Sequence, residues 1–232
     1  MKLVLYSGGT EDENRFLNLR ALELTHVKSP KLTLIPSSSY DAENDFKFFV
    51  QEFSEFGVQR FMLFCVDTPY TKTLLQEVLK SDLIFLGGGN TFYFLKHLKK
   101  AGMFAHFDKF LKRGGVLCGL SAGAIILTPH VHTASFPHFD RDENPWDMKN
   151  LSAMRLVKFE FFPHYKNSKR YDAELLHHSK KSKIPLYGCS DGGGIIIDGD
   201  QISFVGKCFQ FYSGKKLSLV INKLTLRTEA HS

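Results

Sequence analysis

The chain has 232 residues, of which 43% are hydrophobic, as expected for one sizeable α/β domain. Its formal net charge is +6, but the basic residues are scattered among acidic ones, which argues against a nucleic-acid-binding surface. No run of about eighteen apolar residues is present, and the apolar run at the amino terminus is too short for a signal peptide. We therefore predict a single cytoplasmic domain over residues 1–232 with no membrane partner.

The cysteines agree with that prediction. Four are present, at positions 65, 118, 189 and 208, and none has the C-x-x-C spacing of a redox or metal motif. Cys65 and Cys118 lie in apolar, strand-like runs. We expect all four to be buried free thiols in a reducing compartment.

Short apolar runs alternate with amphipathic segments along the first half of the chain. Strands are predicted at residues 3–6, 32–35, 61–66 and 83–86. Helices are predicted at residues 13–24, 41–56, 73–80 and 103–112, and a further one follows residue 91. In the second of these, Phe46, Phe49, Val50 and Phe53 have the i, i+3, i+4, i+7 spacing of one buried face. The alternation predicts an α/β fold with a mostly parallel central sheet.

The second half of the chain has a different pattern. Strands are predicted at residues 157–162 and 184–187, with a helix at 168–179 between them. Short strands then follow at residues 195–197, 202–205, 209–212 and 217–221, joined by tight turns. This spacing indicates a small antiparallel β meander at the edge of the sheet, after which the polar last residues are expected to fray.

Residues 115–127 contain the strongest functional signal. A short apolar strand bounded by glycines passes through Gly119, Ser121 and Gly123 into a segment that can form a helix. Small residues two positions from Ser121 allow a strand and a helix to meet in a sharp turn, which would expose the serine hydroxyl at the carboxyl end of the sheet. We interpret Ser121 as a nucleophile beside free helix N–H groups that can stabilise an oxyanion.

Two other glycine-rich loops follow predicted strands. Residues 87–91, Gly-Gly-Gly-Asn-Thr, allow close approach of the backbone to a ligand, and we expect them to supply a second oxyanion donor. A phosphate cradle is disfavoured, because neither nucleotide-binding glycine motif is present. The loop at residues 7–10, Ser-Gly-Gly-Thr, is compatible with a ligand contact or with a plain turn.

Residues 128–150 form an irregular segment rich in His, Asp, Asn and Pro, which we expect to be a loop beside the site. Five of its side chains raise the question of a metal: His130, His132, His138, Asp140 and Asp142. No H-E-x-x-H or H-x-x-x-H helix is present, so we interpret them as solvated loop residues. No metal or organic cofactor is predicted.

A serine nucleophile requires a base, and the base requires a carboxylate to orient it. His164 and Asp191 each follow a predicted strand and are expected on the same side of the sheet as Ser121. The order serine, histidine, acid argues against an α/β-hydrolase, which places its acid before a late histidine. Asp172 and Glu160 remain alternative orienting acids.

Four segments together resemble peptidase E, the aspartyl dipeptidases of peptidase family S51, which also includes cyanophycinases. They are residues 86–92 (LGGGNTF), 119–124 (GLSAGA), 163–165 (PHY) and the Asp191-Gly192 turn. The resemblance spans nearly the whole chain. It implies a three-layer sandwich like the class I glutamine amidotransferases, with serine where those enzymes carry cysteine.

The same resemblance implies roles for individual residues. It implies a Ser121–His164 pair, an oxyanion hole formed by the backbone of Gly89 and Ala122, and substrate contacts from the adjoining Gly88 and Asn90. Bacterial aspartyl dipeptidases usually carry glutamate where this chain has Asp191. An acidic first substrate residue also requires a cation, for which Arg170 and Lys169 are the candidates.

The predicted activity is therefore serine-type hydrolysis of short peptides that begin with an aspartyl residue, through an acyl-enzyme. An esterase or amidase acting on small acyl substrates is the second enzymatic hypothesis. A binding protein that retains the pocket without catalysis is a third. The sequence leaves a monomer and a homodimer equally open.

Overall fold

The structure, a computed structural model, describes residues 1–219 and 226–227. The strands are β1 (Lys2–Tyr6), β2 (Lys31–Ile35), β3 (Arg60–Leu63), β4 (Leu83–Leu86), β5 (Val116–Leu120), β6 (Glu160–Phe162), β7 (Leu186–Cys189), β8 (Gly194–Asp198), β9 (Gln201–Val205), β10 (Cys208–Tyr212), β11 (Lys215–Leu219) and β12 (Leu226–Arg227). The helices are α1 (Glu11–Thr25), α2 (Ala42–Ser54), α3 (Lys72–Leu79), α4 (Thr91–Lys100), α5 (Met103–Lys112), α6 (Ala122–Ile126) and α7 (Lys169–Lys181), with a 3₁₀ turn at His132–Ser135.

The main sheet has the strand order β12-β9-β8-β1-β5-β4-β2-β3. The five strands from β1 to β3 in that order are parallel, and β8, β9 and β12 continue the sheet antiparallel beyond β1. The mostly parallel central sheet predicted from the alternating pattern is thus confirmed. The carboxyl ends of β1, β4 and β5 lie side by side, which is where an α/β sheet binds ligands.

Helices cover both faces of this sheet because its strands are apolar on both sides. Val4 and Tyr6 of β1 pack towards α1 and α2, whereas Leu3 and Leu5 pack towards α4, α5 and α6. Many phenylalanines fill both layers; Phe49, Phe53 and Phe85, for example, pack within about 6 Å of one another. The result is the three-layer sandwich that the sequence predicted.

A second, smaller sheet has the order β11-β10-β7-β6. The predicted meander is therefore wrong in part: β8 and β9 form an antiparallel edge of the main sheet, but β10 and β11 leave it. In β10, Cys208 joins the main core while Phe209 and Phe211 on the other face of the strand pack against α7. The position of β10 in the second sheet, between the main core and α7, buries all three side chains.

The strands predicted at residues 157–162 and 184–187 also belong to this second sheet, as β6 and β7. Phe161 faces the main core and Phe162 faces α7, so β6 too is buried on both sides. The predicted strand at residues 217–221 and the predicted fraying of the terminus lie partly or wholly outside the described residues. Within the described residues, no helix has the length and apolarity to cross a membrane.

Candidate active site

Ser121 lies in the tight turn between β5 and α6. Its backbone has φ 50° and ψ −109°, which places a non-glycine residue in the sparsely populated left-handed half of conformational space. A Cβ on Gly119 would collide with the backbone of Gly123, and one on Gly123 would collide with the carbonyl of Leu86. The glycines on either side of the serine are therefore required for β5, α6 and β4 to approach one another.

His164 and Asp191 meet Ser121 in one chain of hydrogen bonds. The Nε2 atom of His164 is 3.0 Å from the Oγ atom of Ser121, and its Nδ1 atom is 2.7 Å from an Oδ1 atom of Asp191. The side chains of His164 and Asp191 are 46% and 44% exposed, so the group opens to solvent and to a ligand. This is the arrangement of a nucleophile, a base and an orienting carboxylate.

The three side chains come from two different sheets. Ser121 follows β5 of the main sheet, whereas His164 follows β6 and Asp191 follows β7 of the second sheet. The expectation that all three follow strands of one sheet is therefore corrected. They still converge, because the carboxyl ends of β6 and β7 pack against the carboxyl end of β1.

Ser7, just after β1, joins the two sheets. Its buried hydroxyl accepts a hydrogen bond of 2.7 Å from the N–H of His164 and donates one of 2.6 Å to the carbonyl of Cys189. Next to it, Gly8 lies directly against the reacting pair, since a Cβ there would collide with both the His164 ring and the Asp191 carboxylate. The sequence left two interpretations of the loop at residues 7–10, a ligand contact or a plain turn. In the structure this loop supports His164, the candidate base.

The glycine-rich loop after β4 lies beside the serine. A Cβ on Gly88 would be 3.7 Å from the Cβ of Ser121, and Gly89 has φ +123°, a conformation that favours glycine. Asn90 caps α4: its side chain accepts from the N–H of Tyr93 at 2.9 Å and donates to the carbonyl of Glu143 at 2.8 Å. Ala122 is the first residue of α6, where the N–H groups lack intrahelical acceptors.

The two predicted cations lie at the start of α7. The Arg170 guanidinium lies 3.5 Å from the centroid of the Phe139 ring, and both Arg170 and Lys169 are exposed. Their neighbour Tyr171 donates to Asp140 at 2.6 Å. Burial, then that bond, raises the pKa of Tyr171 to about 12.

The alternative orienting acids have other partners. Asp172 accepts from the hydroxyl of Tyr165 and pairs with Lys216 at 2.8 Å. Glu160 is fully buried and binds the ring of His178 at 2.8 Å. The carboxylate that contacts His164 is that of Asp191.

The irregular segment is anchored rather than merely solvated. Asp142 accepts from the N–H of Thr91 at 2.7 Å, and Asp140 accepts from Tyr171. His130 packs against His132 with ring centroids 4.4 Å apart, and burial lowers the pKa of His130. Among the described residues, no group of three or more His, Cys, Asp or Glu side chains could hold a metal ion.

Comparison with known proteins shows the family of the chain. Residues 3–205 match the model of peptidase family S51. The chain belongs to peptidase family S51. It is a serine peptidase, since members of that family use a serine nucleophile.

Relatives within the family are similar at modest identity. An uncharacterized peptidase of Listeria innocua is 29% identical over 77% of this chain and 85% of its own length. An uncharacterized peptidase of Bacillus subtilis is 26% identical over 87% of this chain and 86% of its own. Peptidase E of Salmonella arizonae is 33% identical, but only over 40% of this chain and 38% of its own length.

Two solved structures share the fold. A candidate peptidase E protein from Listeria monocytogenes superposes with a TM-score of 0.69 at 23% identity, over 88% of this chain and 96% of its own. A peptidase from an acI-B1 Actinobacterium superposes with a TM-score of 0.71 at 17% identity, over 97% of this chain and 96% of its own. At these identities the likeness establishes the S51 fold.

Sequence reasoning missed the supporting role of Ser7 and Gly8. The available signal was a polar, glycine-containing loop at the carboxyl end of the first strand, the same position that marked Gly88 and Ser121. The sequence did not show that β6 and β7 form a second sheet. Only the packing of that sheet against β1 brings His164 to this loop.

Proposed function

We propose that this S51 peptidase hydrolyses short peptides with an aspartyl first residue, through a triad of Ser121, His164 and Asp191. The observation that carries the proposal is the hydrogen-bonded chain from Asp191 through His164 to the serine on the strained turn. A residue in such a conformation at the end of a parallel strand is typical of a nucleophile.

In this mechanism His164 removes the proton from the Ser121 hydroxyl as its oxygen attacks the scissile carbonyl carbon. The negative charge that develops on the carbonyl oxygen is stabilised by the N–H groups of Gly89 and Ala122. His164 then protonates the leaving amine, and Asp191 stabilises the imidazolium in between. Water, activated by His164, attacks the acyl-enzyme, releases the aspartyl residue and restores Ser121.

The preference for an aspartyl residue is supported by the resemblance to peptidase E. The cations that we assign to the substrate carboxylate are Lys169 and Arg170, which begin α7 a few residues after His164 and are both exposed. We assign further substrate contacts to Gly88, which lies against Ser121, and to the adjoining Asn90.

We further propose that the enzyme acts in the cytoplasm, as a monomer or homodimer. The four cysteines are free thiols, and the sulfur atoms of Cys189 and Cys208 lie 2.9 Å apart across β7 and β10 without a disulfide. Three of the four are buried as expected, whereas Cys65, which follows the end of β3, is only partly buried. Free, buried cysteines are typical of a reducing compartment.

The test compares the wild-type protein with Ser121→Ala on aspartyl-leucine and alanyl-leucine. We expect the wild type to cleave aspartyl-leucine much faster, and Ser121→Ala to lose about 10⁴-fold or more in kcat, since it removes the nucleophile without adding bulk. Labelling by a fluorophosphonate should disappear in the same variant.

Three outcomes would contradict parts of the proposal. A variant with more than about a tenth of the wild-type rate would exclude Ser121 as the nucleophile. Equal cleavage of the two dipeptides would favour a general amidase or esterase. A wild-type protein that neither cleaves nor reacts with the fluorophosphonate would be a binding protein.

A further inference from the structure

A cleft lies next to the candidate nucleophile, on the face of the main sheet that α1 and α2 cover. It has a volume of about 300 Å³, and its floor is formed by the carboxyl ends of β1, β2, β4 and β5. Gly88 and Leu120 form its wall on the side of the active site. They are the immediate neighbours of Gly89 and Ser121, so a substrate bound at the serine can extend into the cleft.

The cleft is acidic, although the protein has a formal net charge of +6. Glu11, Asp45 and Glu52 line it, and its lining contains no lysine, arginine or histidine. None of the three carboxylates forms an ion pair with a basic side chain within residues 1–219. Burial raises the pKa of Glu52 and of Asp45, as expected for carboxylates that lack a neutralising partner.

Two buried polar side chains that line the cleft are poorly satisfied. The Oδ1 atom of Asn14, a residue only 6% exposed, accepts no hydrogen bond from the described residues, although its Nδ2 donates to the carbonyl of Gly9. The hydroxyl of Tyr6, a residue 1% exposed, has only the weakly bonding thiol of Cys118 beside it. Buried polar groups are nearly always hydrogen-bonded, so the unpartnered Asn14 oxygen indicates that a hydrogen-bond donor belongs in the cleft.

The remaining wall is apolar. Leu34, Phe48, Phe49, Phe85 and Leu120 line it. A small inorganic cation or a lone ammonium would leave this wall uncovered. A lysine or arginine side chain fits both the acidic and the apolar walls of the cleft. Its aliphatic stem packs on apolar surface, while its charged end reaches carboxylates and amide oxygens.

We infer that this cleft binds the cationic side chain, lysine or arginine, of the second residue of the peptide substrate. The inference rests on the proposed function for the position of that residue: an acidic first residue would be repelled by the cleft, which leaves the leaving-group residue to occupy it. Glu52 is the central contact, since it lines the cleft and its carboxylate is held by the side chain of Asn18 at 2.6 Å.

The experiment compares aspartyl-lysine with aspartyl-norleucine, which has a similar stem without the ammonium group. We expect the wild type to show a kcat/KM about tenfold or more higher for aspartyl-lysine, the difference expected of one charge-assisted contact. Glu52→Gln, which keeps an acceptor for Asn18, should bring that ratio close to one. The matched control is Glu55→Gln at the carboxyl-terminal cap of the same helix, where the carboxylate is exposed and pairs with Arg15; it should keep the wild-type ratio.

A second measurement separates this inference from the proposed function. Calorimetry on the Ser121→Ala variant compares the binding of lysinamide and norleucinamide, which needs no turnover. Tighter binding of lysinamide that is lost in Ser121→Ala/Glu52→Gln supports the cleft even if no aspartyl dipeptide is cleaved. Equal binding of the two amides, or equal kcat/KM for the two dipeptides in the wild type, would overturn it.

Discussion

The carboxylate of Asp191 reaches His164 because the backbone around it lies close to the loop after β1. The N–H of Gly192 donates to the carbonyl of Gly8 at 2.9 Å, and Gly192 itself has φ +72°. Gly8 has no side chain that would separate the Asp191 carboxylate from the His164 ring. A carboxylate one methylene shorter than the glutamate usual in aspartyl dipeptidases can therefore still accept from the ring at 2.7 Å.

At this residue the sharpest prediction is for Asp191→Asn. We expect kcat to fall by at least about a hundredfold with little change in KM, because an amide can hold the ring in the wrong tautomer and cannot stabilise the imidazolium. Asp191→Glu should keep part of the activity. Kinetics on aspartyl-leucine measure both.

The control for that prediction is Asp172→Asn. Its carboxylate pairs with Tyr165 and Lys216, away from the reacting ring, so kcat should change far less. If Asp191→Asn stayed within about threefold of the wild type, Asp191 would not be part of the catalytic group.

Ser7 has an element-scale role, since its single hydroxyl connects the end of β1 with the segments after β6 and β7. Ser7→Ala leaves the buried N–H of His164 without an acceptor, which should lower the free energy of unfolding by about 1–3 kcal/mol. Because the bond also fixes the backbone that carries the base, we expect kcat to fall while KM changes little. Chemical denaturation and steady-state kinetics give the two quantities.

A merely structural role for Ser7 would give a different result, and Ser179→Ala provides the comparison. Ser179 is equally buried and also bridges two elements, donating to the carbonyl of Leu176 and accepting from the N–H of Gly214. The Ser179→Ala variant should have a lower free energy of unfolding and an unchanged kcat. If both variants lost stability alone, Ser7 would not position the base.

The elements show how far local sequence determined this fold. The strand at residues 83–86 and the helix at 103–112 were predicted with the bounds that β4 and α5 have, because their apolar periodicity and flanking turns agree. The strand predicted at residues 61–66 ends at Leu63. Phe64 and Val66 are buried all the same, so apolar character alone could not show where strand pairing stops.

The candidate site also has a part that the local sequence could predict and a part that it could not. Ser121, His164 and Asp191 could be predicted, since each follows a strand and carries a side chain with recognisable chemistry. The bridge made by Ser7 and the acidic cleft could not. Both depend on contacts between segments far apart in the chain, and the allocation of β6, β7, β10 and β11 to a second sheet is not encoded in any local pattern.

At the scale of the whole molecule, the two sheets share one core. Phe161, Cys189 and Cys208 of the second sheet pack in the same cluster as Leu3 and Leu5 of the main sheet. We therefore expect residues 1–232 to unfold as one cooperative unit, and the single-domain prediction can be tested in this way.

Urea titration followed by far-ultraviolet circular dichroism and by residual peptidase activity measures that cooperativity. Both signals should give one transition with the same midpoint, because the site cannot lose its geometry without separating the sheets. Activity lost at clearly lower urea than the helical signal would show that the second sheet undocks by itself, and the single-domain prediction would be wrong.

The position of β1 at the centre of the main sheet has a consequence for synthesis. Its partner β5 is made early, but its other partner, β8, begins only at Gly194, after the rest of the active site has been translated. Until then a nascent chain that has paired its first five strands carries an open, apolar edge at Val4 and Leu5, the kind of edge that recruits other strands. We therefore expect a nascent chain to be most prone to aggregation in the interval before β8 emerges from the ribosome.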